Sequence, residues 1–91
     1  MITYYTEIPT VKKGVELLRV LEDARYTSYD NEYESSHNGI LCGKFKYVGI
    51  WDDRSYVGYD KQNNVELRPA TKLTWNKFIE FLNAEVSDDL I

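Results

Sequence analysis

The stretch ILCGKFKYVGIW, residues 40–51, decides the fold. It is the longest apolar run in the chain, and it alternates. Leu41, Phe45, Tyr47 and Trp51 fall on one side of an extended backbone, with Gly43 and Gly49 between them. Ile40, Cys42, Val48 and Ile50 fall on the other, with Lys44 and Lys46. Two-residue spacing of aromatic and β-branched side chains is the signature of a strand. The face carrying Phe45, Tyr47 and Trp51 is expected to lie under helices, with Gly43 and Gly49 admitting a close approach.

Downstream, Asp52-Asp53-Arg54 reads as a turn, since Asp side chains bond their own backbone there. SYVGY (55–59) is a second meander strand, DKQNN (60–64) another turn, and residues 65–68 a short last strand stopped by Pro69. Thr74 is an N-cap for a final helix. Leu73 is placed to staple Phe78, and Trp75, Phe78, Ile79 and Leu82 form its apolar stripe beside Phe81. This helix is expected to fray near residues 85–87 and leave 86–91 as a mobile tail.

Upstream, Asn38-Gly39 is the strongest short-range hairpin signal, because both residues tolerate the positive φ of a type I′ turn. Residues 32–37 are then either an edge strand folding back on the central one or a surface loop. Residues 2–6 (ITYYT) form an N-terminal strand closed by Pro9. Thr10 caps a helix running to about residue 25, with Val11, Val15, Leu18 and Leu21 as its stripe and Leu17 and Ala24 widening it. Gly14, costly by about 1 kcal/mol in a helix interior, implies close packing. The predicted class is α+β: a small antiparallel meander sheet of three to five strands, order β-α-(β)-β-β-β-α, with two helices on one face.

A chain of 91 residues is one domain, large enough for a core without disulfides but with a small margin. Its single Cys excludes an internal disulfide framework. No run approaches the roughly 20 apolar residues of a membrane-spanning helix, and the N-terminus lacks the pattern of a secretory signal. A cytoplasmic protein without membrane contact is expected. The net charge of −4 is uneven. Residues 26–39 carry Asp30, Glu32 and Glu34 with no Lys or Arg, and the last residues are acidic again, while 40–73 are mildly basic. Overall acidity argues against nucleic acid as a general partner, since that affinity depends on cations meeting phosphate.

The residues that carry chemistry elsewhere are sparse. His37 and Cys42 are the only imidazole and the only thiol, and no oxyanion hole is evident around them. Zinc wants about four N/S ligands, and this chain offers two at most. The glycines fit neither a phosphate loop nor a dinucleotide fingerprint. The expectation is a protein with no catalytic residues, metal or cofactor.

Two binding surfaces follow. The first is the acidic, Tyr-rich segment: Tyr26, Tyr29, Asp30, Glu32, Tyr33 and Glu34. Tyrosine supplies contact area at small entropic cost, and spaced carboxylates can oppose a basic groove where phosphates would otherwise lie. Glu22, Asp23, Glu85, Asp88 and Asp89 add to that charge. This makes a small acidic inhibitor of a larger, nucleic-acid-handling protein the leading function, in the style of viral or mobile-element antagonists. The second surface is Lys44, Lys46, Val48 and Ile50, an exposed sheet face if both helices cover the opposite one. It would serve homodimerisation or, with nearby Tyr, a platform for single-stranded nucleic acid.

Overall fold

The fold is described from a computed structural model, which covers residues 2–29 and 35–89. It holds five strands and three helices: β1 (Tyr4–Glu7), α1 (Val11–Asp23), β2 (Thr27–Ser28), α2 (Ser36–Leu41), β3 (Tyr47–Ile50), β4 (Ser55–Tyr59), β5 (Thr71–Lys72) and α3 (Trp75–Asp89). The sheet order is β2-β4-β3-β1-β5. β3 pairs antiparallel with β1 and β4, while β5 joins β1 and β2 joins β4 in parallel. The α+β class stands, but the sheet is mixed rather than a meander. The parallel character comes from the two-residue edge strands, β5 beside β1 and β2 beside β4, which flank an antiparallel centre.

The central strand is shorter than its alternation suggests, because residues 40 and 41 end a helix. Asn38-Gly39 lies inside α2, not in a type I′ turn. Ser35 caps α2, its hydroxyl accepting from Asn38 N–H at 3.4 Å. The positive φ expected at Asn38-Gly39 appears instead at Gly43 (φ 82°), just past the helix end. Gly39 serves close approach: the Phe45 ring occupies the space a Cβ there would need, and the same ring covers Gly58 of β4. Ser36 completes the dock. Its fully buried hydroxyl donates to Tyr29 C=O at 2.7 Å and accepts from Gly58 N–H at 3.1 Å, continuing the β4 edge where β2 stops.

All three helices lie on one face. Leu17, Leu18 and Leu21 of α1, Ile40 of α2, and Phe78 and Leu82 of α3 share a core with Ile8, Val48, Ile50 and Tyr56. The sheet therefore faces the helices with the side opposite to the one expected. Val48 and Ile50 are sealed in the core, 0% and 2% exposed, so they form no open sheet face with Lys44 and Lys46, which are exposed. Phe45 does join the helix-side core, from the loop ahead of β3. The expected α1 stripe is rotated too: Gly14, Leu17, Leu18 and Leu21 are buried, while Val11 and Val15 are exposed. Gly14 explains the rotation, since a Cβ there would sit 3.3 Å from both Ile40 Cγ2 and Ile8 Cγ2.

Both helix caps read from the sequence are present. Thr10 accepts from Lys13 N–H at 3.1 Å and Thr74 from Lys77 N–H at 3.3 Å. α3 continues to Asp89 rather than fraying at 85–87, and residues 90 and 91 of the expected tail lie outside the described residues. The strand expected at 65–68 is a run of turns, with Glu66 N–H on Asn64 Oδ1 at 2.9 Å and Ala70 N–H on Leu67 C=O at 3.1 Å. This run lays Leu67, 1% exposed, across the second face of the sheet. No described helix is long and apolar enough to cross a membrane.

Two substitutions test this packing. Gly58→Ala drives a methyl into the Phe45 ring and should lower stability by about 1–3 kcal/mol, read from the urea midpoint. An unchanged midpoint would place the ring elsewhere. Val48→Lys buries an unpaired cation and should abolish cooperative unfolding. A folded Val48→Lys protein would instead support the open sheet face.

Candidate binding site

The helix-free face of the sheet is aromatic. Tyr5 of β1, Tyr47 of β3, Tyr59 of β4 and Trp51 beyond β3 alternate onto it and pack with Ile2, Val57 and Leu67 as a second core. Its cover is the turn segment 60–70, held by tyrosine hydroxyls. Tyr59 donates to Glu66 Oε2. Tyr47 O–H donates to Gln62 Oε1 at 3.5 Å, and Gln62 Nε2 donates to the Tyr5 hydroxyl at 3.4 Å. Burial, then the bond to Glu66, pushes the Tyr59 hydroxyl well above its ordinary range. At neutral pH Tyr59 is the donor in this bond.

A cleft of about 440 Å³ opens between this cover and the sheet, within the size range of ligand sites. Tyr29, Phe45, Trp51, Val57 and Tyr59 are among the residues that line it. Tyr29, which follows β2, stands over the Trp51 ring with centroids 5.1 Å apart and planes at 44°. Tyr29 is 51% exposed. Asp60 and Glu66 also line the cleft, and among the described residues no Lys or Arg does. Trp51 Nε1 is the one buried side-chain N or O without a hydrogen-bond partner among the described residues. A buried donor left so costs about 1–3 kcal/mol.

The expected contact residues divide. Tyr29 is at the surface, as anticipated. Tyr26, expected on a surface segment, is buried: it is 9% exposed, and its hydroxyl donates to Glu85 Oε1 at 2.8 Å. The cause is local. α1 ends with Arg25 at φ 62°, Arg25 N–H on Glu22 C=O at 2.9 Å and Tyr26 N–H on Leu21 C=O at 2.8 Å. This is a Schellman closure, whose following residue characteristically packs back on the helix. Arg54 Nε completes the cluster 3.5 Å from Glu85 Oε2, and its Nη1 donates to Ala24 C=O at 2.8 Å. Glu85 is therefore engaged inside the protein, while Glu22 and Asp23 are exposed. Asp30, Glu32, Tyr33 and Glu34 lie outside the described residues.

His37 and Cys42 sit at and just beyond α2. The His37 N–H donates to Ser28 Oγ at 3.3 Å, and the Cys42 thiol to Gly39 C=O at 3.6 Å. Among the described residues no group of three or more His, Cys, Asp or Glu is placed to hold a metal. Sequence reasoning missed Trp51, Tyr59, Asp60 and Glu66 as site residues. The signal was the Tyr47–Gly49–Trp51 alternation, which marked a face but not which layer covers it.

Burial first, then the bond to Glu85, raises the Tyr26 hydroxyl far above its ordinary value, as burial does for Tyr59. A raised folded-state value means the native protein holds a proton that the unfolded chain releases near pH 10. Stability is full below that pH and should fall above it by about 1.4 kcal/mol per pH unit for each tyrosine. Alkaline urea melts should show this slope, and Tyr26→Phe/Tyr59→Phe should flatten it; an equal slope in that variant would refute the assignment.

No protein-family model, curated protein or solved structure matches this chain, so the ground for a function is its own geometry.

Proposed function

We propose that the protein is a non-catalytic binding protein that blocks a larger, basic partner, with a nucleic-acid-handling protein as the favoured target class. The observation that carries this is Tyr29, half-exposed against Trp51 in the lining of the cleft and directly preceding the Asp30, Glu32 and Glu34 segment in sequence. An exposed aromatic anchor beside carboxylates is the combination that gives a protein interface both contact area and charge steering. Tyr33 belongs to the same proposed contact segment, and the buried Tyr26 is left out of it. Nucleic acid itself is disfavoured, because the cleft and the segment both present negative charge. A dimer through Val48 and Ile50 has lost its premise, since both are buried under helices. The cell interior is the proposed location, following from the reduced, single-cysteine composition.

Affinity capture from an extract of the native host tests this. Partner protein retained by the wild type should be lost with Asp30→Asn/Glu32→Gln/Glu34→Gln and should elute as salt rises toward about 1 M, where the screening length falls to about 3 Å. Retention that ignores both the triple variant and salt would remove the charge-opposition reading.

A further inference from the structure

We propose that the cleft beneath Tyr29 is a receptor for a guanidinium group, taking an arginine side chain of the basic partner. The lining combines four aromatic residues, Tyr29, Phe45, Trp51 and Tyr59, with two carboxylates, Asp60 and Glu66, and no Lys or Arg among the described residues. An apolar ligand would leave those carboxylates to be desolvated without compensation. An anion would be repelled by both carboxylates. A cation gains from both features: ring faces attract positive charge within about 6 Å of their centroids, and carboxylates accept its N–H groups.

The acceptors choose among cations. A quaternary ammonium carries no N–H and would use the rings alone. An ammonium is compact and strongly hydrated, and offers no flat face to stack. A guanidinium is planar: it stacks on an exposed ring such as Tyr29 and forks onto a carboxylate, so it uses both features of the lining. The site is also held in shape before any ligand arrives. Tyr59 and Glu66 are bonded to each other, Ser36 fixes the Tyr29 carbonyl, and Tyr29 rests on Trp51. Little further ordering is then lost on binding.

The inference rests on the partner being basic, and its test separates the two. The chain is titrated with acetyl-Gly-Arg-Gly-amide and with the same peptide carrying citrulline, lysine or trimethyl-lysine, following the Trp51 indole N–H by NMR. The arginine peptide should saturate with a Kd of about 1 mM or tighter. Citrulline, equal in shape but neutral, should bind about tenfold or more weakly, and both amines should bind more weakly than arginine. Tyr29→Ala and Asp60→Asn, both at exposed positions, should each weaken the arginine peptide severalfold while leaving the thermal midpoint within a few degrees. Arginine and citrulline binding equally, tighter binding of trimethyl-lysine, or no saturation by the arginine peptide would each overturn the proposal. If the peptide fails while partner capture remains salt-labile and sensitive to the triple variant, the cleft assignment falls and the proposed function stands. If the peptide binds but capture ignores salt and the triple variant, the proposed contact segment falls instead.

Discussion

The Phe45 ring is the contact on which the architecture depends. It lies in the loop before β3 and fills the space left by two missing side chains, Gly39 in α2 and Gly58 in β4. Burying a phenylalanine contributes roughly 1.5–3 kcal/mol, and more is at stake when its removal leaves a cavity between two elements. With the ring in place, α2 cannot unwind into an edge strand without exposing it. The Ser36 hydroxyl then takes up the β4 amide that a neighbouring strand would otherwise satisfy. One aromatic side chain and one hydroxyl thus do what a hairpin partner would have done.

The second consequence concerns β3. It is paired on both edges, and its alternating side chains give each face to a different layer. Val48 and Ile50 face the three helices, and Tyr47 and Trp51 face a cover of turns only about ten residues long. Turns cannot present the continuous apolar stripe of a helix. They hold the face instead through polar contacts from tyrosine hydroxyls to Gln62 and Glu66. A cover attached in this way leaves room at its margin, and the cleft lies there. The aromatic side chains of that face are amphipathic, packing through their rings while their hydroxyls reach the cover.

The Tyr26–Glu85–Arg54 cluster ties the end of α1, the β3–β4 turn and the last turns of α3 together. Arg54 adopts φ 64°, a conformation that disfavours a side chain, yet its guanidinium reaches both Glu85 and the Ala24 carbonyl. Backbone strain of about 1–3 kcal/mol persists only where surrounding contacts over-determine it. Those contacts also withdraw Glu85 from the acidic surface, so the charge available to a partner is narrower than the net charge implies.

Local chemistry settled much from the sequence alone: the helices opening after Thr10 and Thr74, the Asp-rich turn between two strands, the α+β class, and Tyr29 as a surface aromatic. Each is decided by neighbours within a few residues, through a cap, a side-chain-to-backbone bond or a polar flank. Which face of β3 the helices cover, and whether Asn38-Gly39 turns or coils, was decided only by tertiary structure. Alternation with period two assigns residues to two faces but is symmetric between them, and both faces here are apolar. That symmetry is broken by distant contacts, Phe45 on two glycines and Leu67 on the opposite side, and no window of neighbouring residues contains them.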